Sequence, residues 1–369
     1  MTRNLFNSPS GPYFLSHSAG LMPLAARSAL EASCLEPWAA GASDIWDKWL
    51  AATDAFRASL APVIGGRADD ICPQTNISSA LTKILFSLPV AKGRTKIVLC
   101  EEDFPTIGFV LAQAERLGLK LVFLKSGPQL ADPDAWGAAY GEDVHLLHLT
   151  HVYSNLGLKT PVAEIVARAR AKGVITVVDA AQSAGGVEVH ADRWGADFIT
   201  GTSLKYLCGG PGAAYLWVNP AIAPKCAPVD VGWFSHENPF EFDIRHFGYA
   251  PGAARFWGGT PSIAPFALAR AGADIIAGAG VAAIAASNQK LIDKIVAALP
   301  VKAFASHIVK GERGCSFIVK MRDSDKATAA LNEEKFVFDR RQGGFRFSFH
   351  LYNDENDAAR LIAMLSAFV

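Results

Sequence analysis

Asp179 closes the apolar run VITVVD, and Lys205 follows 26 residues later, between the polar turn TGTS and the glycine-rich LCGGPG. A lysine amine condenses with an aldehyde to give a Schiff base. A carboxylate can keep a pyridine nitrogen protonated, so that the ring draws electrons from an attached substrate. Pyridoxal phosphate needs both groups. One Asp and one Lys mean little alone; here each stands at the end of one of two successive apolar runs.

These residues need a scaffold, and the surrounding pattern supplies one. From Lys96 onward the apolar runs KIVLC, KLVFL, VHLLHLT, VITVVD, ADFIT and AAYLWV are separated by helical patterns such as Ile107–Leu117 and Pro161–Ala171. Short buried strands alternating with helices indicate an α/β fold with a mostly parallel sheet. Upstream, Leu24–Cys34 and Asp44–Val63 have helical periodicity. Asn76 or Ser78 is placed to cap a helix over Ala80–Leu88. Near Pro261 the character changes. Two Ala-rich helices precede strands at VKAFAS, CSFIVKM and FRFSF, and a last helix runs from Asp354 to Phe368. The expected division is an extended lead-in over 1–20 packing on the small domain, a large domain over 21–257, and a small α+β domain over 258–369.

Composition narrows the function. The 369 residues are 50% hydrophobic and carry 35 basic and 35 acidic side chains, so a large core is possible and there is no charge footprint for nucleic acid or an anionic membrane. The six cysteines show no CxxC and no neighbouring histidine cluster, which argues against a metal site or a disulfide framework. Reduced thiols and the absence of a secretory start indicate a cytoplasmic protein. The apolar stretch Ile263–Ser287 is interrupted by Pro265, Arg270 and Asp274 and reads as soluble helices.

The frame resembles fold-type I pyridoxal-phosphate enzymes of aminotransferase class V, and within them the kynureninase branch. Five blocks carry the resemblance: DAAQSAGG with LKYLCGGPGAAYLWV, DFPT at Asp103–Thr106, GWFSHENPF at Gly232–Phe240, GGTPSI at Gly258–Ile263, and RFSFHLYN at Arg346–Asn353. It covers the chain from about Tyr13 to the C-terminus. It implies a homodimer acting on an α-amino acid, with each site completed across the interface.

The resemblance also implies roles. Lys205 would carry the cofactor and shuttle a proton. Asp179 would face the ring nitrogen, Gln182 the phenolic oxygen, and Phe104 would stack on the ring. His151 and Tyr153 would lie beside the ring. A phosphate favours the amides and hydroxyls of a helix N-terminus, which Asn76, Ile77 and Ser78 could provide. Ser203, and Thr260 from the neighbouring subunit, would add to them. Arg346, whose fork suits a carboxylate, would bind the substrate carboxylate. Trp233 and His236 would lie near the phosphate and the substrate side chain. The sequence departs from the kynureninase pattern at Leu204, where Tyr is expected, and at Ile107, where Asp is expected. It also carries Gln182 where His is usual. Two reactions remain open: hydrolytic Cβ–Cγ cleavage of a γ-keto amino acid, and amino-group transfer to a keto acid. Cysteine desulfuration fits poorly, because Phe336–Gly344 holds no loop cysteine.

Overall fold

The computed structural model describes residues 2–341 and 343–369. Ten strands form two sheets. The large sheet holds β1 (Ile71–Gln74), β2 (Lys96–Cys100), β3 (Lys120–Leu124), β4 (Val144–Thr150), β5 (Ile175–Asp179), β6 (Phe198–Thr202) and β7 (Ala214–Val218). Their order is β1-β7-β6-β5-β4-β2-β3. Strands β2 to β6 pair in parallel, while β7 is antiparallel to both its neighbours. All six predicted apolar runs are strands of this sheet. β4 is buried at every position, as a central parallel strand covered on both faces must be.

The small sheet has the order β8-β10-β9, with β8 at Ser316–Val319, β9 at Asp339–Arg341 and β10 at Gly344–Ser348. The helices Val281–Ala298, Ser324–Glu333 and Glu355–Ser366 contribute Leu291, Ile295, Leu331 and Leu361 to its core. Phe14, from the lead-in, sits in that core against Phe336, Phe347 and Phe349. Farther along the same segment, the Gly20 amide donates to the Leu204 carbonyl at 2.8 Å. A Cβ at Gly20 would collide with the backbone oxygen of Lys205, so only glycine lets the lead-in close over the lysine turn.

Several expectations change. The Leu24–Cys34 helix is a short α-helix, Ala26–Leu30, that widens into a π-helical turn, Glu31–Leu35, before Pro37. The expected VKAFAS strand is a 3-10 turn, Val301–Ala303, after Pro300, and only Phe304 bridges to Val319. β1 was hidden by Pro73, which a sheet tolerates on an edge strand. β9 was hidden by its charged sequence DRR, which suits the exposed edge it occupies. No single helix among the described residues is long and apolar enough to cross a membrane.

Candidate active site

A cleft of about 350 Å³ opens where β4, β5 and β6 end. Ligands in open α/β sheets bind at the carboxyl ends of the strands, and the cleft obeys that rule. Asp179, the last residue of β5, and Lys205, in the turn after β6, both line it.

Asp179 is 5% exposed. Burial raises its pKa, against the lowering effects of His148, the Ala181 amide and Lys205. Its Oδ1 accepts from the Ala181 amide at 2.8 Å. Lys205 is pushed down, first by burial and then by the charges of Arg346 and Arg341, with Asp179 opposing. A lysine with a lowered pKa yields the neutral amine that a carbonyl requires. The chain leaves the lysine turn through left-handed backbone, with Cys208 at φ 54°, Gly210 at φ 71° and Gly212 at φ 90°. Glycine meets that requirement at the last two positions.

The opposite wall is the N-terminus of the helix Ile77–Leu85. Asn76 caps it, its side chain accepting from the Ser79 amide at 2.8 Å. Asn76, Ile77 and Ser78 all line the cleft. Unpaired first-turn amides and the helix dipole make this end a natural seat for a phosphate. Phe104 stands at the mouth, 53% exposed, with its ring 5.7 Å from Lys205 Nζ. Its exposure rules out a purely core role and leaves a flat apolar face for a ring to stack on. Gln182 also lines the cleft; one N–H holds the His17 carbonyl at 3.0 Å, and its Oε1 has no partner among the described residues.

The other expected residues lie elsewhere. Ser203 is fully buried behind the wall, its Oγ without a partner among the described residues, and Thr202 lines the cleft in its place. Tyr153 is sealed beneath the floor, because its strand-end segment turns inward beside Cys100 and Asp103. His151 points away from the cleft, its ring packed edge-on against Trp194 at 4.7 Å. Trp233 belongs to an aromatic cluster with Trp46, Phe234 and Phe240. His236 hydrogen-bonds Gly248 O and Glu241, and Glu241 also holds His246. The donor atoms of these three side chains lie within 4.8 Å of one another, a grouping the sequence spacing did not flag. Thr260 is exposed on an adjoining cleft of about 210 Å³ that shares Thr75 with the first.

Arg346 is 1% exposed. Its fork is engaged: Nε and Nη2 donate to Asp339 at 3.0 and 2.7 Å, and Nη1 donates to the Ser154 carbonyl at 3.1 Å. The sequence assigned no role to Asp339, His148 or Thr150, and Asp103 entered only as the first residue of the DFPT block. His148 and Thr150 do carry a signal, polar side chains alternating along one face of the apolar strand VHLLHLT.

The donor set fits pyridoxal phosphate. A lowered lysine, a buried carboxylate, an exposed aromatic face and a capped helix N-terminus surround one cleft, and Gln182, which also lines it, has an Oε1 without a partner among the described residues. Fold and site together define a pyridoxal-phosphate-dependent enzyme of fold type I. The chain belongs to the aminotransferase class V family, whose model matches residues 40–361. A kynureninase from Deinococcus radiodurans is 29% identical over 96% of this chain and 89% of the relative. An uncharacterized aminotransferase from Bacillus subtilis is 25% identical over 87% of this chain and 85% of its own. Among solved structures, a C-DES mutant with glycine linked covalently to its pyridoxal-phosphate cofactor superposes with a TM-score of 0.88. It is 21% identical, and the match covers 100% of this chain and 99% of that one.

Proposed function

We propose that this protein is a kynureninase-like hydrolase that cleaves the Cβ–Cγ bond of a γ-keto amino acid, working as a homodimer. The observation that carries the reading is the convergence of Lys205, Asp179 and Phe104 on one cleft, in a chain whose likeness to a kynureninase spans 96% of its length. The cofactor, when bound, supplies an electron sink for the carbanion formed at the substrate. The residues do the rest. Lys205 holds the cofactor and then moves a proton to and from substrate carbon. Asp179 keeps the ring nitrogen charged. The Asn76–Ser78 turn seats the phosphate, and Ser203 supports it from behind. Arg346 takes the substrate carboxylate by exchanging part of its pairing with Asp339. Gln182 serves the ring's phenolic oxygen, and Tyr153 backs the floor.

The dimer is supported by a surface that water does not favour. Phe242 is 75% and Ile244 95% exposed in the loop that follows Trp233 and His236, and Thr260 is exposed nearby. A second subunit placed on this loop would bring Trp233, His236 and Thr260 toward its partner's cleft.

The alternative is a class V aminotransferase, favoured by two cleft residues. Leu204 lines the cleft where the kynureninase pattern has Tyr, and Tyr206 is buried against His350 and cannot replace it. Ile107 stands where Asp is expected and is 1% exposed. Desulfuration has less support, since all six cysteines are buried and burial pushes the Cys315 thiol up to about 12. Incubation of the cofactor-loaded enzyme with kynurenine and 3-hydroxykynurenine, without keto acid, decides. Sustained release of the anthranilate supports hydrolysis. A single-turnover shift to the pyridoxamine form with some other amino acid, and no anthranilate, establishes the transferase.

A further inference from the structure

Beneath Asp179 lies a buried pair that the chemistry above leaves unused. Asp103 sits in the turn after β2 and accepts three hydrogen bonds. Its Oδ2 accepts from the Cys100 amide and from His148 Nδ1, each at 3.0 Å, and its Oδ1 accepts from Thr150 Oγ1 at 2.7 Å. The side chains of His148 and Asp103 are 0% and 2% exposed. The bond to Asp103 places a proton on Nδ1, which leaves Nε2 buried and without a partner among the described residues. A buried polar atom in that state points to a neighbour it serves.

That neighbour follows from the register. In the parallel pairing of β4 with β5, His148 lies beside Val177, and Thr150 beside Asp179. Side chains two residues apart on a strand share a face, so His148 stands one rung below Asp179 on the face that carries Asp103. The two groups influence each other. Burial would lower the His148 pKa, but the charge and hydrogen bond of Asp103 and the charge of Asp179 outweigh it, and the net shift is upward. His148 is in turn the strongest influence opposing the effect of burial on Asp179, ahead of the Ala181 amide and Lys205. The other ionisable groups nearby are Tyr215 beside Asp179, and Cys100 and Tyr153 beside Asp103.

We propose that Asp103 and His148 are positioning residues that hold Asp179 ionised for the cofactor's ring nitrogen, in a carboxylate–imidazole–carboxylate array inside the sheet in which Asp103 orients the imidazole and the imidazole acts on Asp179 through space from one rung below. The inference rests on the pyridoxal-phosphate reading of the cleft. Asp179 gives up hydration when it is buried, and a cation one rung below replaces the lost solvation.

The test uses full-length His148→Leu, His148→Gln and Asp103→Asn proteins, each checked for folding by circular dichroism. Three readouts separate positioning from simple packing. They are the dissociation constant for pyridoxal phosphate, the pH midpoint of the visible absorbance of the loaded protein, and the charge state of His148 by nitrogen-15 NMR of the wild-type apoprotein. His148→Leu is expected to weaken cofactor binding about tenfold and move the absorbance midpoint by about one unit. kcat should fall while KM for the amino acid barely changes. His148→Gln, which keeps a neutral donor, should recover part of the loss. In the wild type, His148 should be an imidazolium near neutral pH. A neutral His148 there, or a His148→Leu protein with unchanged cofactor affinity and titration, would overturn the array. If His148→Leu does not fold, the NMR measurement decides alone. Failure of the wild type to develop visible absorbance with the cofactor would sink the reading of the cleft itself. Absorbance that forms and does not respond to His148→Leu sinks only the array.

Discussion

Asp339 grips Arg346 with both carboxylate oxygens, Oδ1 on Nε at 3.0 Å and Oδ2 on Nη2 at 2.7 Å. His17 Nε2 joins the same carboxylate at 2.9 Å. Asp339 is 23% exposed on its side chain while Arg346 is 2%, so the acid reaches toward solvent and the arginine does not. Under the proposed function a substrate carboxylate takes over part of this pairing, while the Nη1 bond to the Ser154 carbonyl keeps the guanidinium anchored.

Arg346→Lys should therefore lower kcat/KM by about 2 kcal/mol, roughly 30-fold, because a point charge cannot copy the planar fork. Asp339→Ala should destabilise the fold by about 3 kcal/mol, since it strands a buried cation. Added amino-acid substrate should restore part of the lost Tm by offering its own carboxylate. A Tm that ignores both the mutation and the amino acid would rule out this arrangement.

Acid should unfold the apoprotein through its buried neutral histidines. Burial is the leading cause that pushes His17 down to about 4 and His151 and His350 each to about 3. The unfolded chain protonates the same groups near 6.5, so between there and about 4 the unfolded state binds more protons. Stability is then lost as pH falls through that window, by up to about 1.4 kcal/mol per pH unit for each histidine. His148 is raised, so its own linkage lies above about pH 6.5, where it adds stability as pH falls, and it contributes no slope within this window. Thermal melts at about pH 6.5 and about pH 4.5 should show the decline. His151→Phe, which keeps a ring against Trp194, should flatten it; an unchanged slope would remove His151 from the account.

Asn76 has two tasks that one variant can separate. Asn76→Ala loses the cap bond to Ser79 and should cost about 1 kcal/mol of stability. It should also weaken pyridoxal phosphate binding more than pyridoxal binding, because only the former presents an anion to the helix. Equal losses for both ligands would show that the turn does not hold the phosphate.

Much of this architecture can be read from the residues. The six apolar runs from KIVLC to AAYLWV announce the parallel sheet, since strands buried on both faces must be apolar throughout. Asp179, Lys205 and the Asn76–Ser78 turn follow from their places at the ends of those elements and Phe104 from the resemblance, and the structure gathers them in one cleft. What escaped was long-range. Asp339 meets Arg346 only because β9 pairs with β10, and β9 has no apolar pattern to reveal it. Asp103 and His148 lie 45 residues apart, and only the adjacency of β2 and β4 joins them. His151 was expected beside the ring only from the resemblance, and the structure packs its imidazole edge-on against Trp194.

The central claim is that Lys205 is the residue that carries the cofactor. The most direct measurement is borohydride reduction of the pyridoxal-phosphate-loaded protein, followed by peptide mass mapping. The account predicts a single reduced adduct on the peptide containing Lys205, absent in Lys205→Ala, whose visible absorbance and turnover are also lost. An adduct on another lysine, or full activity in Lys205→Ala, would contradict it.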